Sequence, residues 1–499
     1  MIGKRTSAGT IAALLLMFAG PVPGWAASPP PDGHSWYPSL ALADQPNDAV
    51  GEPSGQPAPW QPPPVDMTLV PPDATPSPPE AYQPKTQCLQ SGTNGAVLTN
   101  PPAAQTMLDI GEAQQQSTGR GVTVAIIDTG VNKHPFLSGR LTGGGDYVAP
   151  TAVNNGTVDC DGHGTITAGI VAANTKGAGV GFTGVAPDAD VLAIRQSSSA
   201  YETTGQTPTG AGNTLSLAQA IVHAVDHGAN VITTSVDECL TVPADGRLTL
   251  DANDRALQAA VHFAVLHNVV VVNSAGNLSS ATCPSAPQNA NPDPNRVSQV
   301  QVPAVFSDDV LSVASVDPAN GNVSSFSVWG PWVSVAAPGE GIISIDPAPG
   351  ASGLANLYSE PGTPQPQAIQ GTSFAAPYVA GLAALLRSKY KNMSAREIMY
   401  RIEATAQHPS GPDGRNNQVG YGLIDPVTAL TALIPGQNGV PLAKTTSIKA
   451  QIPNSGDNDS LPMRVALIGT GAAAAVLLVL FFLFRTRKST AESRPTRRR

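Results

Sequence analysis

A parallel β-sheet with helices on both faces is the fold class that the middle of this 499-residue chain predicts. Two observations carry it. Short β-branched apolar runs recur at 121–127, 190–194, 229–234, 269–273, 310–316 and 333–336, and helical patterns fall between them at 164–174, 215–228, 254–268 and 372–390. Apolar strands alternating with amphipathic helices argue a sheet whose strands run one way and whose two faces are both covered. No internal repeat interrupts the pattern, so 105–435 reads as one domain.

The flanks cannot build a core. Residues 1–27 read as a secretory signal: Lys4 and Arg5 precede an apolar stretch at 11–19, and Ala26 and Ala27 offer a small-residue cleavage site. Residues 28–87 carry 17 prolines in 60 residues, which favours extended, polyproline-like chain. The whole 28–104 stretch is expected to wrap the domain as an N-terminal extension. After a linker at 436–463, the 464–484 segment predicts a membrane-spanning helix. Its last twenty residues hold no charge, acidic Asp457–Asp459 lies before it, and seven basic residues face the single Glu492 after it. That asymmetry predicts a cytoplasmic tail at 485–499, with the domain extracytoplasmic, on the periplasmic side of the cell membrane.

Formal charge is 27 − 36 = −9 with no basic stripe in the domain, which excludes a nucleic-acid partner. The four cysteines, Cys88, Cys160, Cys239 and Cys283, allow three pairings, and export makes disulfides the default.

In open sheets of this kind ligands bind beyond the carboxyl ends of the strands, so residues just after each strand are the candidates for chemistry. Val-Ala-Ile-Ile-Asp-Thr-Gly ends a strand at Asp128, Asp-Gly-His-Gly-Thr opens a helix at His163, and Gly-Thr-Ser-Phe-Ala-Ala-Pro places Ser373 at the start of a long apolar helix. A serine hydroxyl becomes a nucleophile when an imidazole takes its proton, and a carboxylate must hold that imidazole in the right tautomer. Small residues after His163 let its helix pack closely. The helix after Ser373 aims its first amides at a developing oxyanion. In motif sequence and order, 105–430 resembles the subtilisin-like serine proteases. The resemblance implies a triad of Asp128, His163 and Ser373. It also implies that Asn277, in Asn-Ser-Ala-Gly-Asn after the 269–273 run, donates its amide to the oxyanion.

The resemblance further implies that Thr234, Ser235, Val236 and Asp237 form the edge that pairs with extended substrate. Glycine is usual where Asp237 stands. Its carboxylate, beside Glu238, either makes the cleft mouth acidic or points into solvent. Phe374 stands where many subtilisins carry methionine and is expected to narrow the leaving-group side. Three loops look long, at 196–214, 278–302 and 346–369. A Cys239–Cys283 bridge would tie the second to the substrate edge and leave Cys88–Cys160 to tether the extension, with the other pairings open. A proline-rich 28–87 does not fit a folded inhibitory prodomain.

The remaining histidines take no catalytic role. His223 and His227 stand four apart on a helical pattern, but no third ligand is evident, so they read as a polar helix face. His262 and His267 do not share a face, and His134 reads as surface structure. The chemistry calls for no metal and no cofactor. The assembled architecture resembles the mycosins, membrane-anchored proteases of actinobacterial type VII secretion systems. That resemblance implies secreted type VII substrates, the secretion membrane complex as partner, and a second role in stabilising it. The alternatives are a mainly structural component of that complex and a generic anchored surface subtilase.

Overall fold

The computed structural model describes residues 58–94, 98–150, 155–235, 237–244, 246–279, 283, 285–290, 296–359, 365–437, 440 and 461–488. The signal at 1–27, the extension up to residue 57, Val236, the linker at 441–460 and the tail from 489 lie outside them.

Seven strands form the central sheet: β1 (Thr123–Asp128), β2 (Leu141–Asp146), β3 (Asp190–Arg195), β4 (Val231–Thr234), β5 (Val270–Ser274), β6 (Leu311–Val316) and β7 (Val335–Pro338). They stand in the order β7-β6-β5-β4-β1-β3-β2, and every neighbouring pair is parallel. β4 to β7 are buried at every residue, and β1 and β3 at all but their first. Such strands need cover on both faces. Helices α1 (His163–Ala172) and α4 (Thr372–Lys389) pack together, as do α2 (Thr214–Asp226) and α3 (Ala252–Leu266). Asn213 and Asp251 cap α2 and α3 with side-chain oxygens on the N3 amides.

Strand order reverses between β1 and β4, and a cleft lies beyond their carboxyl ends. Asp128 ends β1, and Ser235 directly follows β4.

β2 had no signal in the sequence, because Leu-Thr-Gly-Gly-Gly-Asp offers almost no side chain to read. Its glycines are steric. A Cβ on Gly143 would lie 2.1 Å from the Asn155 carbonyl oxygen, and one on Gly144 would lie 2.7 Å from Leu192 Cδ1. Nor are the three long connections bare loops. Within 196–214, the strands Ser198–Thr203 and Gly210–Ala211 pair with each other. Gln299–Val302 pairs with Glu238–Thr241, and Leu357–Ser359 pairs with Gln367–Ala368.

The extension adds edge strands to these connections. Tyr82–Pro84 pairs antiparallel with Tyr201–Thr203, and Gln90–Gly92 pairs with Leu357–Ser359. Between them a disulfide joins Cys88 to Cys160. Upstream, Gln258 donates to the Pro63 carbonyl at 2.7 Å, and the Trp60 and Trp332 rings lie 6.0 Å apart. The second disulfide joins Cys239 to Cys283.

A separate unit begins at Leu442 and contains the helix Leu461–Lys488. Its Val465–Leu483 stretch has a mean hydropathy of 2.5, long and apolar enough to cross a membrane.

Candidate active site

The cleft beyond those strand ends has a volume of about 520 Å³, and Asp128, His163, Ser235, Ser373 and Phe374 line it. Asp128 is delivered by the last residue of β1 and is only 3% exposed. Its Oδ1 lies 2.7 Å from His163 Nδ1. A carboxylate only accepts, so Nδ1 carries the proton and Nε2 keeps its lone pair. Burial by itself would lower the His163 pKa. The Asp128 charge and hydrogen bond, with Asp159 and Asp161 behind them, outweigh it and raise the pKa above 6.5.

His163 opens α1, and its approach to β1 depends on the residue that follows. A Cβ on Gly164 would lie 2.1 Å from the Gly130 carbonyl oxygen and 3.1 Å from Asp128 Cβ. The loop before His163 is fixed by Asp159, which sequence reasoning missed. Asp159 Oδ1 accepts from Thr129 Oγ1 at 2.9 Å and from the Gly162 amide at 2.7 Å. Its Oδ2 accepts from the Thr165 amide and hydroxyl at 2.8 and 2.6 Å. Thr129 Oγ1 in turn accepts from the Gly164 amide at 2.9 Å. Burial pushes the Asp159 carboxyl up to about 7, against the pull of these hydrogen bonds. No local pattern in the sequence marks this acid, and only its partners reveal the link between β1 and α1.

Ser373 sits in the first turn of α4, 8% exposed. Gly371 precedes the turn with φ +151°, a conformation that side chains rarely adopt. A Cβ there would stand 3.0 Å from Ser373 Oγ and 3.8 Å from Asn277 Nδ2, so one small volume separates these two groups. Asn277 Oδ1 accepts from the Thr372 amide at 3.0 Å and hydroxyl at 3.1 Å. Those bonds orient the amide and leave Nδ2 as its free donor end.

The substrate-edge residues separate. Ser235 lines the cleft, and its hydroxyl donates to the Ser373 carbonyl at 3.4 Å. Thr234 is fully buried, with its hydroxyl 3.1 Å from Asn273 Oδ1. Asp237 points neither into an acidic mouth nor into solvent. It accepts from Asn273 Nδ2 at 3.1 Å and from Ser274 Oγ at 3.0 Å, at the end of β5. Burial pushes its carboxyl up to about 7, opposed by those two partners and by nearby His163. Glu238 is exposed. The Phe374 ring centroid lies 4.7 Å from that of His163. Thr86, Gln87 and Leu89 of the extension form part of the cleft wall beside the Cys88–Cys160 bridge.

Two histidine assignments change. His134 is buried, not on the surface: its Nδ1 accepts from the Phe136 amide at 3.2 Å, and its Nε2 lies 3.1 Å from the Gly353 carbonyl oxygen. His223 and His227 do have a third group beside them, Asp73, supplied by the extension 150 residues away in sequence.

A family model described as the subtilase family, Peptidase S8, matches residues 119–422. The chain belongs to this family and is a serine endopeptidase. It is 37% identical over 432 residues to Mycosin-4 of Mycobacterium tuberculosis, across 85% of this chain and 90% of that protein. The crystal structure of MycP1 from Mycobacterium smegmatis matches with a TM-score of 0.67 and 38% identity, over 78% of this chain and 99% of that one. A chain of the intact ESX-5 inner membrane complex matches with a TM-score of 0.67 and 35% identity, over 86% of this chain and 100% of its own. Within the subtilases, the chain groups with the mycosins.

Proposed function

We propose that this mycosin-type protease cleaves peptide bonds through an acyl-enzyme, with Ser373 as nucleophile, His163 as general base and acid, and Asp128 as its orienting carboxylate. The single observation that carries the reading is the 2.7 Å Asp128–His163 contact in the cleft that Ser373 also lines. With Nδ1–H held by Asp128, His163 Nε2 takes the Ser373 proton as Oγ attacks the scissile carbonyl carbon. The carbonyl oxygen gains charge between Asn277 Nδ2 and the Ser373 amide at the α4 N-terminus. Collapse expels the amine, protonated by His163, and leaves an ester on Ser373. Water, deprotonated by His163, then hydrolyses it. The substrate backbone pairs along the edge that begins at Ser235.

Asn277→Ala tests this assignment. It is expected to lower kcat by about 10²–10³ with little change in KM, because the amide binds a charge present only in the transition state. Steady-state hydrolysis of a peptide substrate measures both. An effect confined to KM would assign Asn277 to ground-state binding.

The extension, from residue 28 to 104, wraps the domain and forms one cleft wall, and does not act as an inhibitory plug. The C-terminal helix anchors the protein, with the domain outside and the tail at 485–499 in the cytoplasm. The charge contrast across that helix supports this placement. Protease added to intact spheroplasts is expected to digest residues before 460 and to spare the tail; the reverse pattern would overturn the topology. The substrates are proteins exported by a type VII system. A second role, stabilising the secretion membrane complex, is supported by the match to a chain inside the intact ESX-5 inner membrane complex. Secretion that persists with a correctly inserted Ser373→Ala chain would assign this role to the fold and not to proteolysis.

A further inference from the structure

Away from the cleft, metal-ligating side chains from two distant parts of the chain meet on α2. His223 lies in its last turn and His227 at its C-terminal cap, four residues on and therefore on the same helix face. Asp73 of the extension reaches them. His223 Nδ1 is 2.7 Å from Asp73 Oδ1, and His227 Nδ1 is 2.8 Å from the His223 carbonyl oxygen. Both partners are oxygens that only accept. Each ring therefore carries its proton on Nδ1, and each neutral ring keeps its lone pair on Nε2. The two ring centroids lie 3.8 Å apart, and one potential ligand atom from each of the three residues lies within 4.8 Å of the others. His227 and Asp73 are exposed, so the cluster is open to solvent. The extension is seated firmly beside it. Pro76 packs on Gly145, where an added Cβ would stand 2.5 Å from Pro76 Cγ and 3.8 Å from His223 Cδ2.

We propose that this cluster is a binding site for a divalent transition-metal ion of the Zn²⁺ class. Nε2 of His223 and of His227 ligate the ion, water fills its remaining positions on this solvent-open face, and the Asp73 carboxylate is not itself a ligand but orients His223 from behind. Imidazole nitrogen suits Zn²⁺, Cu²⁺ and Ni²⁺ and not the hard, oxygen-seeking Ca²⁺. A carboxylate on the far nitrogen of a ligating histidine fixes its tautomer and raises its basicity. Because Asp73 belongs to the extension and the histidines to α2, the ion couples its own binding to docking of the extension. The site takes no part in peptide hydrolysis.

The test is calorimetric titration of Zn²⁺ into the full-length chain, detergent-solubilised and first stripped of metal by a chelator. The wild type is expected to bind one equivalent saturably and to gain melting temperature as Zn²⁺ rises. His227→Ala removes an exposed ring and is expected to lose that equivalent while hydrolysing peptide at the wild-type rate in chelator. Asp73→Asn is expected to weaken binding about 10–100-fold. Zn²⁺ binding undiminished in His227→Ala would place the ion elsewhere, such as at His163. That result, or the absence of saturable binding by the wild type, would overturn the proposal. Neither outcome bears on the Ser373 mechanism, because the two sites share no residue.

Discussion

Ser373→Ala is expected to reduce peptide-bond hydrolysis by about 10⁶-fold while leaving the fold and melting temperature close to wild type. The chemical loss is complete, because the carbonyl then has no protein atom to bond to, and solvent must attack unaided within the remaining oxyanion site. The structural loss is one oxygen atom on a residue that keeps its place in the first turn of α4. The surrounding geometry does not depend on that oxygen. Asp128 and His163 are held to each other and to the Asp159–Thr129–Thr165 network, and Asn277 is held by Thr372. Peptide hydrolysis with thermal unfolding on the same preparation separates loss of the nucleophile from loss of the fold. Wild-type turnover by the folded variant would contradict the assignment.

Asp128→Asn is expected to cost about 10⁴ in kcat with little change in structure. An asparagine presents either a donor or an acceptor to His163 Nδ1 and no longer compels one tautomer. When the amide NH₂ faces the ring, the proton moves to Nε2, where it blocks proton transfer from Ser373. The pH dependence should shift as well. Activity needs neutral His163, so in the wild type kcat/KM falls as pH drops through a pKa raised above 6.5. Burial pulls that pKa down, and the Asp128 charge and hydrogen bond push it up. Removing the two Asp128 contributions leaves the burial opposed only by Asp159 and Asp161, which moves the acid limb of the residual activity to lower pH. A limb that stays in place or moves upward would show that Asp128 does not set the His163 pKa.

The chemistry was legible in the sequence because it sits where local pattern and function coincide. β1 is a run of apolar residues that stops at Asp128, and α1 and α4 begin at or beside the residues that act, with glycines where only glycine fits. The four cysteines were legible only as alternatives, since pairing depends on distance through space. What was illegible depended on partners far away in the chain or on missing side chains. β2 is built from three consecutive glycines, and its register comes from contacts with Asn155 and Leu192. The edge strands Tyr82–Pro84 and Gln90–Gly92 are three residues long and lie in or beside proline-rich chain. Asp159 and Asp73 carry no local signal, because the partners that define them, Thr129 and Thr165 for the first and His223 for the second, meet them only in the folded chain. Asp237 was read as a matter of mouth or solvent. Its inward turn depends on Asn273 and Ser274, which become its neighbours only once β4 and β5 lie side by side.

The proposed mechanism makes Ser373 a nucleophile activated by His163. Its most direct test is labelling with a fluorophosphonate, which forms a stable phosphonyl ester with an activated serine. Mass spectrometry of the digested protein is expected to find one phosphonyl group per chain, on the peptide containing Ser373, and none on a folded His163→Ala variant. A label on a different serine, or full proteolytic activity in a chain whose Ser373 stays unlabelled, would remove Ser373 from the role of nucleophile.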